Sequence, residues 1–207
     1  MLSRRQEFWL IEPTHYRWVV ACLYLACALA TVVAGFHSAR GAREEIDTMA
    51  RERGSTLFAL VELARDWNAS HGGVYVPVTP ATPPNPYLEH PNRDVTTVDG
   101  RQLTMVNPAY MTRQIAEMAQ NLNQTRLHFS SLRPIRPANK ADAWDAESLQ
   151  LFETKGLEDR LSLIEDAAGG PVYRFMAPLR VKQSCLKCHA KQGYQLGDIR
   201  GGISVTM

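Results

Sequence analysis

The sequence predicts an α+β fold: a small antiparallel sheet with flanking helices, preceded by a transmembrane helix and a long membrane-proximal helix. Three observations predict it. The run from Trp18 to Phe36 holds 19 residues without a charge, close to the ~20 that cross a bilayer core as helix. Between residues 40 and 70, apolar side chains recur at three- and four-residue steps, the period of an amphipathic helix. From residue 71 onward, short apolar–polar alternations are parted by Gly and Pro turn signals and by short helical stretches, the succession expected of an α+β domain with antiparallel strands.

Segment 1–17 precedes the span 18–36, whose ends carry the bulky rings of Trp18 and Phe36, suited to the bilayer interface. A cleaved signal peptide is the weaker alternative, because Glu7 and Glu12 stand in the leading segment and the apolar run exceeds the usual ~7–15 residues. A buried core helix is disfavoured by the charges at both ends, Arg17 on one side and Arg40 and Arg43 on the other. Basic residues do not orient the span, since Arg4, Arg5 and Arg17 precede it and Arg40, Arg43, Arg51 and Arg53 follow it. The membrane-proximal segment 37–70 reads as one helix from about residue 40. Its stripe is Ile46, Met49, Ala50, Leu57, Leu60, Val61, Ala64 and Trp67, weakened in the middle by Gly54. His71-Gly72-Gly73 ends it, with Gly free to take a left-handed conformation at the stop.

The remainder, 71–207, reads as one domain. Val74, Val76 and Val78 alternate as a short strand, and the proline-rich stretch from Pro77 to Pro91 is a surface loop. Asp99-Gly100 between VTTV and QLTMV is a hairpin signal. Asn107-Pro108 starts a helix to about residue 122, with Met111, Ile115, Met118 and Leu122 as its buried face. Leu127 and Phe129 mark another strand. Asp142 caps a helix that runs to about Lys155 and stops at Gly156. Strands near 159–164 and 172–178, a Gly-rich turn and a last strand from Gly202 complete the chain.

The net charge is +2, from 23 basic and 21 acidic residues, which gives no electrostatic footprint for nucleic acid. No Ser-His-Asp order, metalloprotease motif or phosphate-binding Gly loop is present, and the chain is not read as an enzyme. The chemistry lies in Cys185-Leu186-Lys187-Cys188-His189, a C-x-x-C-H pattern. Two thiols at this spacing can each add to one haem vinyl group, giving two thioethers, while the adjacent His reaches the iron as axial ligand. A thioredoxin-like pair, a structural zinc site completed by His71, His90 or His128, and a disulfide are the competing readings. The first lacks a preceding βαβ unit. The second lacks a motif around its fourth ligand, and the third is strained at three-residue spacing. The cofactor expected is covalent haem c. Its attachment occurs outside the bacterial inner membrane, which places the amino terminus in the cytoplasm and residues 37–207 in the periplasm, in a single-pass inner-membrane protein.

The stretches HGGVYVP (71–77), NPYL (85–88), LTMVNPAYMTRQI (103–115), SSLRPIRPANKADAWDAESLQLFE (130–153) and CLKCHAKQGYQLGDIRGGISV (185–205) together resemble a family of haem c-binding, PAS-like sensor domains. Its members occur as periplasmic proteins and as input modules of membrane histidine kinases and diguanylate cyclases. The resemblance implies a PAS-like sheet with haem against it, held by Cys185, Cys188 and His189. Relatives often carry a Cys, proposed as second iron ligand, near the start of the helix matching 107–122. Here Met105, Asn107 and Met111 occupy that region.

The distal-ligand candidates are therefore Met105, Met111 and His71, with His128 behind them and an open sixth site as the alternative. Arg133 and Arg136 are candidates for the haem propionates, since Arg pairs carboxylates in bidentate geometry. Phe129, Trp144, Phe152, Tyr173 and Phe175 would line the haem pocket or fill the core. The function expected is a membrane-anchored periplasmic haem c sensor, responding to redox state or a diatomic gas and signalling through the membrane-proximal helix. The partners expected are the inner membrane, a second copy forming a homodimer through helix 40–70, and a kinase or cyclase output module. The rival is a tethered monohaem cytochrome acting as electron carrier.

Overall fold

The structure is a computed structural model describing residues 13–122, 125–166 and 169–207, with the backbone alone at 13, 14, 121, 122, 187 and 188. Most of the expected cytoplasmic segment, residues 1–12, lies outside the described residues. Met1–Asp47 and Thr48–Met207 are two compact units, and helix α1 (Pro13–Ser70) contributes to both. Between Trp18 and Phe36 α1 is apolar on every face, with Leu23, Leu25, Leu29, Val32 and Phe36 exposed. It is long and apolar enough to cross a membrane, and none of its most apolar 18 residues is buried in protein.

In the second unit, Ala50, Val61 and Asn68 of α1 are buried, while Met49, Leu60, Leu63 and Trp67 of the same helix are exposed. The expected stripe is thus split between an inward and an outward face. At Gly54 the helix lies close against the sheet, because a Cβ there would overlap the ring of Phe175. The helix stops as expected: the Gly73 N–H donates to Asn68 O at 3.0 Å and the Gly72 N–H to Ala69 O at 3.1 Å, with Gly72 at φ 74° and Gly73 at φ 99°. This is a Schellman end, whose positive φ suits Gly.

Strands β1 (Val74–Pro77), β2 (Asp94–Thr96) and β3 (Gln102–Val106) form an antiparallel sheet in the order β1-β3-β2. The Asp99-Gly100 turn joins β2 to β3 as expected, in the register Thr96↔Gln102. Strands β4 (Arg126–Ser130), β5 (Arg160–Glu165), β6 (Pro171–Arg180) and β7 (Ile199–Thr206) form a second antiparallel sheet in the order β4-β7-β6-β5. The expectation of one small sheet is corrected to two. The separation comes from Asn107 and Pro108, which start helix α2 (Pro108–Leu122) directly after β3; Asn107 Oδ1 accepts the Tyr110 N–H at 3.0 Å. Pro77 ends β1, since it has no N–H to extend a ladder.

The four-stranded sheet carries the core on both faces. On one, Phe175, Ala177, Ile203 and Val205 pack with Val61 of α1, Ala116 of α2 and Leu127 of β4. On the other, Met176 packs with Leu149 and Phe152 of helix α3 (Ala143–Lys155). Phe175, Met176 and Ala177 alternate faces, as a strand requires. Helix α3 begins and ends as expected, with the Asp142 side chain accepting the Asp145 N–H and Gly156 at φ 65°. The expected face of α2 is corrected. Tyr110, Thr112 and Ala116 are buried, and Met118 is 64% exposed. Small side chains at 112 and 116 allow α2 to approach α1 and the sheet, where the longer Met118 is not accommodated.

Candidate functional site

After β6, Val181 is buried and the chain turns into the short helix α4 (Gln183–His189). This helix carries the C-x-x-C-H run, and positions 185, 188 and 189, being i, i+3 and i+4, share one helical face. Cys185 is a free, half-buried thiol whose Sγ accepts the Lys182 N–H at 3.4 Å. The Cys188 side chain lies outside the described residues. Lys182, just ahead of the helix, donates to Glu62 at 3.0 Å and to Asp66 at 2.6 Å, both on α1. The helix is thereby tied to α1 immediately before the first cysteine.

His189 lines a cavity of about 380 Å³, within the usual range of small-molecule sites. Three stretches far apart in the sequence meet there. Asn85 to Glu89 form one wall, Phe129 to Ser131 with Pro134 to Arg136 a second, and His189 with Arg200 to Gly202 a third; Arg65 of α1 and Tyr110 of α2 complete it. Phe129, Leu88, Ile135 and Leu179 give apolar surface. Arg65, Arg113, Arg136, Arg200 and Lys191 give five cations, against Glu89 as the one acid among the described lining residues. The buried Ser130 hydroxyl on this wall has no hydrogen-bond partner. An apolar slot with an excess of guanidinium and an orphaned hydroxyl suits a flat apolar ligand that carries carboxylates.

The His189 imidazole has two partners at one nitrogen. Its Nδ1 lies 2.7 Å from Gln192 Oε1 and 3.2 Å from Arg200 Nε. An Nδ1–H donating to Gln192 puts the lone pair on Nε2, the arrangement of metal-bound His, whereas the Arg200 Nε–H donating to Nδ1 needs the other tautomer. Burial pushes the imidazole below its ordinary pKa; the bond to Gln192 opposes this, and Arg200 and Arg65 add to it. A neutral ring is the ligating form. The cavity suits haem in its apolar walls, its cations for propionates and the imidazole of His189; Cys185, on the same helical face as His189, is not among the lining residues.

The other sequence candidates fall variously. Arg136 lines the cavity. Arg133 instead lies over the Tyr194 ring at 4.4 Å. Met105 is buried under Gly73, Met111 Sδ lies 3.6 Å from the Asn68 amide, and His71 Nδ1 lies 2.7 Å from Trp67 O at the end of α1. None of the three lines the cavity with His189. Of the aromatics, Phe129 lines it, whereas Phe152 and Phe175 are core. Sequence reasoning missed Arg65, Gln192 and Arg200. The last two lie inside the quoted stretch 185–205, but Arg65, between Glu62 and Asp66, reads as part of a solvated helix face.

A second cluster of ligating type, His128, Asp142 and Asp145, lies on the α3 side of the sheet. His128 Nδ1 is 2.8 Å from Asp145 Oδ2, and Arg174 Nη2 donates to Asp142 at 2.7 Å and to Asp145 at 2.8 Å. The guanidinium already occupies the place a cation would take.

Over residues 42–207 the sequence matches the family described as Tll0287-like. Among solved structures the chain resembles the crystal structure of the cyanobacterial heme-protein Tll0287, with a TM-score of 0.50 and 18% identity, covering 79% of this chain and 94% of that one. At that identity the likeness is one of fold. No curated protein matches.

Proposed function

The chain belongs to the Tll0287-like family, a PAS-like, non-catalytic sensor fold, and from that premise we propose that it is a membrane-anchored haem c sensor domain. The observation that carries the reading is the cationic cavity with His189 in its wall. Cys185 and Cys188 would hold haem through thioethers, and His189 through Nε2. Arg136 and Arg200 would face its propionates. Bound there, haem supplies an iron that changes redox state and takes diatomic ligands. Gln192 orients the imidazole, and Leu88, Phe129, Ile135 and Leu179 keep water from the macrocycle's faces. His189 is the sole imidazole, and no thiol or thioether is present, among the described side chains lining the cavity. This lining supports an open sixth position, which would suit the sensing of a diatomic gas.

In this reading the charge-free run 18–36 of α1 spans the bacterial inner membrane once, amino terminus inside, and the haem domain lies in the periplasm. The exposed Met49, Leu60, Leu63 and Trp67 are at steps that suit a parallel helix of a second copy, which a shared membrane would align. A kinase or cyclase module is the output.

The test is covalent attachment. Intact-protein mass should show one haem per chain, resistant to acid-acetone extraction and lost in Cys185→Ala/Cys188→Ala. Covalent haem retained in the double variant, or zinc at one per chain in the wild type, would contradict the reading.

A further inference from the structure

Arg65 projects from α1 into the cavity wall, and its bonded partners are neutral. Its Nη1 donates to Thr112 Oγ1 at 3.0 Å and to Pro108 O at 3.4 Å. Its Nε and Nη2 hydrogens have no hydrogen-bond partner among the described residues. The acids flanking it on α1, Glu62 and Asp66, are taken by Lys182. Arg200, in the same wall, bonds Ser131 Oγ at 2.6 Å and approaches His189. It too has no ion pair with a carboxylate among the described residues. Burial pulls both guanidinium groups below their ordinary pKa; at Arg65 the nearby Cys185, Asp66 and Glu62 oppose this and Arg200 adds to it. Two like charges held together in a half-buried cavity, with free donors, call for an anion between them. A planar guanidinium is matched to a carboxylate.

We propose that Arg65 of α1, with Arg200 of β7, forms a carboxylate site in the cavity wall, and that haem is held through one propionate by the helix that leads back to the apolar N-terminal segment. This rests on the haem reading above and adds to it a direct tie between cofactor and α1. The Lys182 clamp to Glu62 and Asp66 fixes the start of α4 to the same turn of α1. The cofactor and the helix that attaches it therefore grip one turn, Glu62 to Asp66. A change in haem position bears on α1 at that turn and not through the sheet alone.

The test uses the full-length chain in detergent with Cys185→Ala/Cys188→Ala, so that porphyrin binding is reversible. Iron protoporphyrin IX and its dimethyl ester, which lacks free carboxylates, are titrated against this background with and without Arg65→Gln. Arg65→Gln should weaken the diacid about tenfold or more, the worth of one charge-assisted hydrogen bond. It should leave the ester unchanged, and Arg65→Lys should restore part of the loss. Equal weakening of diacid and ester would make Arg65 a packing residue and overturn the proposal, as would no weakening of either. Arg200→Gln, read the same way, keeps the question decidable if Arg65→Gln does not fold. Failure of the parent to bind either porphyrin, with Arg65 intact, would overturn the haem reading itself and the proposal with it.

Discussion

Asp145 is fully buried; its carboxylate is shared among Arg174, His128 and Ser204, and its N–H donates to the Asp142 cap. Removing it would leave Arg174, itself nearly buried, without its inner partner. Loss of one member of a buried pair costs ~3–5 kcal/mol. Asp145→Ala should therefore lower unfolding free energy by about 3 kcal/mol or more in denaturant titration. Asp142→Ala, at a half-exposed cap, should cost about 1 kcal/mol. Equal effects would show that the cluster is not the buried support of α3. The same scale explains what could be read in advance at the site. His189 carries its own signature, because the two cysteines before it restrict its chemistry. Arg65 carries none, because its neighbours in the sequence are acids that pair elsewhere, and only tertiary packing turns it toward the cavity.

Among the elements, α1 illustrates how periodicity informs and misleads. Its three- and four-residue steps mark a helix, but they do not separate the face packed on the sheet from the face left outside. Gly54, which lowers helix propensity, is required by the closeness of Phe175. Gly54→Ala should destabilise the domain by about 1 kcal/mol, because overpacking at a buried ring outweighs the ~1 kcal/mol gained in propensity. Gly41→Ala, with open space around it, should not. A thermal melt of both variants decides it, and stabilisation by Gly54→Ala would contradict the packing. The caps and the hairpin were legible because Asn107, Asp142, Gly72, Gly73 and Gly100 act locally. The division into two sheets was not, since it depends on which strands pair across α2.

The charges on these elements set a pH window. The Asp142 carboxyl is pushed up by burial but held below its ordinary value by the Asp145 N–H and Arg174. Its contribution is present above the unfolded value near ~3.9 and is lost as pH falls through the lower folded value. Burial pulls Lys182 down, yet Asp66 and Glu62 raise it above 10.5. Its contribution is full below 10.5 and is lost as pH rises through the higher folded value. Chemical denaturation across pH should give a stability plateau between these limits, falling on the acid side below ~4. Lys182→Met should abolish the part of the alkaline fall due to the clamp.

At the scale of the whole molecule, the proposed haem cavity takes Arg65 from α1, the helix that begins in the apolar segment. The PAS-like reading rests on stretches that lie apart in the sequence, of which 85–88, 103–115, 130–153 and 185–205 supply residues to one cavity. The cavity itself could not be read beforehand, because its lining alternates between strands, loops and helix ends. The central claim is that iron bound at His189 keeps a position open for a signal. It is tested most directly by the absorption spectrum of the reduced, purified protein before and after carbon monoxide. The account predicts a high-spin, five-coordinate ferrous spectrum that carbon monoxide converts to a six-coordinate one. A low-spin, six-coordinate ferrous spectrum that carbon monoxide leaves unchanged would contradict it and make the chain a tethered electron carrier.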